Sequence, residues 1–524
     1  MGLTLDGSSL NLSSLRQWSY FPAGELKVSE KAKRKIKESQ AYVGKRAAGK
    51  EAVYGVNTGF GLLSDVKIPK DKLEQLQLNL IRSHAVGVGN PLSIPEARAA
   101  MLLRTNTLAK GHSGCSLALI EKLLEVQNAG IVAWVPEQGS VGACGDLAPL
   151  AHMALVLIGE GQCYLDGKLM DSAAALKIAG IKPHRLIAKE GLSLINGTQV
   201  MTAIGALTLA EGLHLAKCAD IAGALSLEAF RGTVKAFHPL VHAVRPHPEQ
   251  IAVAANLRKL MGRSKIGESH KDCTKVQDPY SFRCMPQVHG ASRRFLDNVV
   301  GILETEMNSA TDNPLVFLDS DFKGLKGFKG EGPDGGEIVS GGNFHGQYVA
   351  MAMDTVAIAL SEFANISDLR VQKLINPSIS GLPAFLTRDP GLNSGMMIVQ
   401  VASASLVSEN KILSHPASVD SIPTSADKED HVSMGVTAAR KARQIMVNLR
   451  HVLAMEFLSA SQGIDLLRPL RTSAALEAVQ EEIRSVVPPI GDDRIFHHDI
   501  MAITQLLSEG KILAAAEGVL GELQ

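Results

Sequence analysis

Aromatic residues are scarce in this sequence. Phe, Trp and Tyr together make up 4% of it, so its core rests on aliphatic side chains. Cysteines are few and scattered: Cys115, Cys144, Cys163, Cys218, Cys273 and Cys284 stand at wide, irregular spacings with no CxxC pair. That pattern reads as a reduced compartment with no zinc site, and no metal is expected. Neither sign of charge is in excess, since 53 Lys+Arg balance 53 Asp+Glu, which argues against a nucleic-acid binder. The densest basic stretch, residues 31–37, is interrupted by Ala32 and Ile36 and reads as the solvated face of a helix. Residues 1–10 lack the basic start and apolar run of a signal peptide. The best apolar run, residues 147–158, is broken by Pro149 and His152 and falls short of the roughly 20 residues that cross a bilayer. The expectation is a cytoplasmic protein with no membrane partner. No GxxxxGK[ST] phosphate loop occurs. The one GxGxxG match, residues 330–335, follows no clear strand and carries two acids, so it reads as a loop and no nucleotide is expected.

What the sequence does have is helical periodicity. Residues 201–230, 295–307, 349–375, 394–413 and 437–462 are aliphatic stretches too long and too poor in β-branched residues for strands. Residues 163–170 read as a short hairpin turning on Asp166-Gly167. At 524 residues the chain exceeds one small core. The expected fold is all-α, a bundle of long helices with looped segments at one end and a few short strands. The expected division is residues 1–200 and residues 201–524. Several helices are apolar around most of their circumference and must be buried on all sides, which predicts that several subunits share one core.

Three loop-to-helix junctions share a pattern of small or polar residues before a long apolar helix. They are residues 139–146, with Asp146 as an N-cap and Pro149 in the first turn, residues 194–199, and residues 341–346. Each alone is an ordinary cap. Together they would aim several helix N-termini at one electron-rich centre. In the first, the nitrogen of Gly145 can attack the carbonyl carbon of Ala143 and close a five-membered ring. Loss of water, and of the side-chain heteroatom of Cys144, would leave a strongly electrophilic methylidene. Helix N-termini aimed at it would stabilise developing negative charge.

The stretch Gly139-Ser140-Val141-Gly142-Ala143-Cys144-Gly145-Asp146-Leu147-Ala148-Pro149-Leu150-Ala151-His152 resembles the signature of the aromatic amino acid ammonia-lyases. There an Ala-Ser-Gly triad cyclises to 4-methylidene-imidazol-5-one. The resemblance runs through Tyr54-Gly55-Val56-Asn57-Thr58-Gly59-Phe60-Gly61, Ser83-His84-Ala85-Val86-Gly87, Asn196-Gly197-Thr198, residues 277–284, Thr311-Asp312-Asn313-Pro314 and residues 415–421. It implies a mainly helical, cytoplasmic homotetramer with active sites shared among subunits. One departure stands out: position 144 is Cys where the family usually has Ser, so ring formation would expel hydrogen sulfide in place of one water.

The resemblance also implies roles. Tyr54, in its glycine-rich loop, is the candidate base for the β-proton, and a Tyr needs its pKa lowered from about 10 to act at neutral pH. Tyr280 is the other candidate and lies close to the prosthetic group. Arg283 would fork onto the substrate carboxylate. Asn196 and Gln277 would hydrogen-bond the prosthetic group or substrate, and Phe344 would pack beside the group. Substrate choice falls to His84 and Glu409. His84-Ala85 resembles the histidine-using branch, where tyrosine enzymes read His-Leu and phenylalanine enzymes Phe-Leu. Residues 424–434 resemble that branch too, although Asp427-Lys428 often reads Asn-Gln in relatives. The implied reaction is ammonia elimination from L-histidine to give trans-urocanate, the first step of histidine degradation. The alternatives are a tyrosine or phenylalanine ammonia-lyase, a 2,3-aminomutase, or a silent relative with Cys144 unprocessed.

Overall fold

The computed structural model describes residues 2–49, 51–59, 66–271, 276–323, 325, 330, 332 and 335–524. Cys273 and parts of the 54–61 and 330–335 loops lie outside the described residues. Helix dominates, and the strands, two to four residues long, form small separate sheets. The all-α expectation holds.

The chain divides into two compact units, each made of three stretches. Residues 1–210, 300–354 and 416–440 form the first; residues 211–299, 355–415 and 441–524 form the second. The first contains α1 (Glu30–Ala48), α2 (Leu73–His84), α3 (Ile94–Ala109), α4 (Leu147–Leu157) and α5 (Glu190–Ile195). α6 (Gln199–Phe230), α7 (Met285–Met307), α8 (Gln347–Ile375) and α10 (Gly435–Leu466) each have residues in both units, while α9 (Met397–Leu413) belongs to the second.

Local sequence explains several of these elements. α1 starts at the Ser29 cap. Its Ala32 and Ile36 are buried while Lys31, Arg34 and Lys37 face solvent, the amphipathic stripe expected of a surface helix. Lys35 departs from that face and reaches Asp321 at 2.9 Å. α3 opens with a reciprocal capping box, Ser93 and Glu96 each bonding the other's backbone N–H. It is buried almost all round from Ala99 to Ala109. The hairpin falls where expected, β1 (Gln162–Leu165) pairing antiparallel with β2 (Lys168–Asp171). Asp166 and Gly167 carry φ of 50° and 74°, both in the left-handed region that a two-residue turn between right-twisted strands requires.

In the second unit a buried charge network joins four helices. Arg370 of α8 forks onto Glu456 of α10 at 2.5 and 2.8 Å, with neither side chain exposed. Ser226 of α6 and Ser367 of α8 complete the Glu456 shell. Asp220 of α6 holds His289 and Arg293 of α7 at 2.8 and 2.7 Å. Charges buried this deeply are tolerated because each is paired and hydrogen-bonded.

One expectation needs correction. Among the described residues the helix long and apolar enough to cross a membrane is α8, with mean hydropathy 1.4, and not residues 147–158. In that window 67% of residues are buried inside the protein, and α8 carries Asp354, Glu362, Asp368 and Arg370, as a core helix can when its charges find partners. Apolar side chains also stand exposed on helix faces of the single chain, among them Ile358 on α8 and Ile398, Val401 and Ile412 on α9.

Candidate active site

Within the first unit, a cavity of about 600 Å³ collects the three junctions. Its wall includes Ala143 and Cys144 from before α4, Asn196 from before α6 and Phe344 from before α8, with Tyr54 and His84 beside them. The convergence expected of three unrelated loops is therefore present. The N-termini of α6 and α8 meet closely: a Cβ on Gly346 would come within 2.5 Å of the Met201 sulfur.

The triad loop is anchored from three directions. The first runs through Asp146. It precedes α4 but does not cap it with its side chain, which corrects the sequence expectation. Its carboxylate instead accepts the Val200 and Met201 N–H groups of α6, both at 2.8 Å. The Asp146 N–H donates to the Gly197 carbonyl at 2.7 Å, and Gly145 and Gly197 form a parallel bridge. Gly145 has φ of 71°, and a Cβ there would lie 2.1 Å from the Gly197 oxygen. Only glycine fits. The second anchor is the start of α10, where Met434 N–H donates to the Val141 carbonyl at 2.8 Å and Ser433 Oγ to the Gly142 carbonyl at 3.1 Å. The third is Glu429, whose Oε1 accepts the Cys144 thiol at 3.0 Å.

Glu429 was not among the residues singled out from sequence, although the block containing it was. It sits between the thiol and Thr424, whose hydroxyl donates to Oε2 at 2.7 Å. Burial alone would raise its pKa. Hydrogen bonds from Cys144, Thr424 and Ser425, with the nearby His84, outweigh that and hold it below the usual glutamate value. Burial, then the Glu429 hydrogen bond and charge, push the Cys144 thiol up, so it stays protonated. The signal that could have found Glu429 is its place in a matched loop; Glu409 lies on a helix. Glu409, from α9 in the second unit, accepts Asn448 Nδ2 at 2.7 Å and does not line this cavity.

His84 ends α2. Its Nδ1–H donates to the Leu80 carbonyl at 2.8 Å. That fixes the tautomer and leaves Nε2 as an acceptor. Burial, partly opposed by the Leu80 bond and Glu429, lowers its pKa, which favours the neutral ring. Tyr54 lies in a turn pinned by Asn57, whose side chain accepts the Val53 N–H and donates to the Glu51 carbonyl. The Asn196 side-chain oxygen is buried and meets no donor among the described residues. His345 and His431 stack in parallel on the wall, 5.7 Å between ring centres.

Gln277, Tyr280 and Arg283 belong to the second unit and do not line this cavity. There, the Arg283 guanidinium lies over the Tyr280 ring at 4.6 Å. Tyr280 is 71% exposed.

Comparison with known proteins adds to this geometry. A family profile described as aromatic amino acid lyase matches residues 10–485. The histidine ammonia-lyase of Myxococcus xanthus (strain DK1622) is 51% identical over 513 residues, 98% of each chain. Among solved structures, histidine ammonia-lyase from Trypanosoma cruzi superposes with a TM-score of 0.90 at 45% identity, covering 100% of this chain and 96% of that one. Tyrosine aminomutase from Streptomyces globisporus superposes with a TM-score of 0.91 at 37% identity over 100% of both chains.

Proposed function

The chain belongs to the aromatic amino acid lyase family, and we propose that it eliminates ammonia from L-histidine to give trans-urocanate. The observation that carries the chemistry is the Ala143-Cys144-Gly145 triad, with Ala143 and Cys144 on the cavity wall and the thiol against Glu429. The identity of 51% to a histidine ammonia-lyase across nearly the whole chain carries the substrate.

The residues present fit 4-methylidene-imidazol-5-one. Gly145 has no side chain to obstruct the approach of its nitrogen, its peptide is held against Gly197, and the unpartnered Asn196 oxygen lines the same space. Forming the ring joins the Gly145 nitrogen to the Ala143 carbonyl carbon. The Ala143 oxygen leaves as water with the amide hydrogens of Gly145 and Cys144. The Cα hydrogen and the SH of Cys144 leave as hydrogen sulfide, and no oxidant is needed. Once formed, the group supplies an electrophile that makes the amine easier to expel.

The chain's own residues do the rest. His84 presents neutral Nε2 to the imidazole N–H of the substrate. Glu429 is a further carboxylate acceptor, for the same ring or for the departing ammonium. Glu409, which belongs to the second unit as Arg283 does, keeps its expected role at the imidazole N–H in a neighbouring subunit's cavity. Tyr54 removes the β-proton. Gln277, Tyr280 and Arg283 act at the cavity of a neighbouring subunit in a homotetramer, Arg283 on the carboxylate. The exposed Tyr280 and the exposed apolar faces of α8 and α9 support that arrangement. Free cysteines Cys115, Cys144, Cys163, Cys218 and Cys284 are consistent with a cytoplasmic location.

Urocanate absorbance with L-histidine tests the reading. Activity with L-tyrosine, or release of a β-amino acid, in place of urocanate would replace it with a tyrosine lyase or an aminomutase.

A further inference from the structure

Arg104 lies in the middle of α3 with no solvent exposure. A fully buried guanidinium is costly unless its N–H groups find acceptors, and its acceptors lie in one place. Nη1 donates to the Asn196 carbonyl at 2.9 Å and to Gln199 Oε1 at 2.8 Å, and Nη2 donates to the Ser193 carbonyl. Ser193 and Asn196 supply orphan carbonyls at the end of α5, and Gln199 opens α6. The guanidinium thus spans the turn between the two helices. A Cβ on Gly197 would fall 2.4 Å from Nη1, so the arginine packs directly on that glycine. On its other side, Gly197 receives the Asp146 N–H and bridges Gly145.

A chain of direct contacts therefore runs from Arg104 through the Asn196-Gly197 turn to the peptide of Gly145. Lys189, just before α5, pairs with Asp312 at 3.0 Å without exposure and also reaches Ser193 Oγ, which braces the helix that leads into this turn. We propose that Arg104 is a positioning residue for ring closure at Ala143-Cys144-Gly145. By fixing the Asn196-Gly197 turn it holds the Gly145–Asp146 peptide where the Gly145 nitrogen meets the Ala143 carbonyl carbon. A planar fork with fixed directions suits two carbonyls and an amide oxygen; a lysine ammonium supplies a point charge without that geometry. The same turn carries the Asn196 side chain into the cavity.

The inference rests on the ring-forming reading, and intact-mass measurement on the full-length protein separates the two. Wild type should be lighter than its sequence by one water and one hydrogen sulfide. An unprocessed wild type overturns both. With wild type processed, Arg104→Lys should fold and assemble normally by circular dichroism and size exclusion, yet carry an unprocessed fraction severalfold above wild type. Its kcat should fall in proportion to that fraction, with KM little changed. Ser367→Ala, which loosens the distant Glu456 shell, serves as the stability control and should be fully processed. Complete processing of Arg104→Lys overturns the inference. If Arg104→Lys does not fold, Gln199→Met carries the test, because it keeps the arginine and removes one acceptor. Slower processing after synthesis is then expected, and processing at the wild-type rate overturns the proposal.

Discussion

Cys144 shows what a single residue controls here. Its thiol is kept protonated by burial and by the Glu429 carboxylate, so it is a leaving group in waiting and not a free thiolate nucleophile. Cys144→Ser is expected to lose two waters and keep activity; Cys144→Ala has nothing to expel from its β-carbon and should show background activity only. Intact mass and urocanate formation read both outcomes. Glu429→Gln keeps the shape and removes the charge of an acceptor, weakening a charge-assisted hydrogen bond of about 1.5–3 kcal/mol, and should lower kcat/KM roughly ten- to a hundredfold. His84→Leu removes one acceptor for the substrate ring. About 1–1.5 kcal/mol is at stake, so KM should rise by about tenfold with a smaller change in kcat. Because burial lowers the His84 pKa, its ring should titrate below the ordinary value near ~6.5. A labelled-histidine NMR titration, with His84→Gln for assignment, would contradict this by showing a midpoint at or above that value.

At the scale of elements, Asp146 ties the start of α4 to the start of α6. Asp146→Ala leaves two buried N–H groups of α6 without their acceptor, and about 1–3 kcal/mol of stability should be lost. The pH dependence has a definite sign. Burial, opposed by the Met201 and Val200 amides and Ser140, pushes the Asp146 carboxyl up to about 7 from an ordinary 3.8. The folded state then binds this proton more tightly than the unfolded state. The stability it contributes is complete below the unfolded value and is lost as pH rises through about 7. The melting-temperature advantage of wild type over Asp146→Asn should therefore shrink as pH rises from about 4 to about 7, the window set by those two values. An advantage that grows with pH would contradict the assignment.

At the scale of the whole molecule, the first unit supplies the triad, His84, Tyr54 and Glu429, while Arg283 and Tyr280 belong to the second. If sites are completed across subunits, co-expression of Tyr54→Phe and Arg283→Met chains should restore activity that neither variant has alone. Mixed assemblies would then contain sites built from the intact halves of both. If the proposed homotetramer packs on the exposed apolar faces of α8 and α9, Ile358→Glu and Ile398→Glu should yield smaller species than wild type by light scattering and lower activity with them.

The sequence by itself determined the helical class, the long elements and the family, because periodicity, caps and motif blocks are local properties of the chain. It located the Asp166-Gly167 turn and the triad for the same reason. Tertiary structure decided what depends on distance. It brought three separate loops to one cavity, turned Asp146 from its own helix to another, and set Glu429 rather than Glu409 beside Cys144. It also buried Arg104 against a turn more than ninety residues away in the chain. None of these pairings has a spacing in sequence, since each forms only when packing closes the chain around the groups concerned.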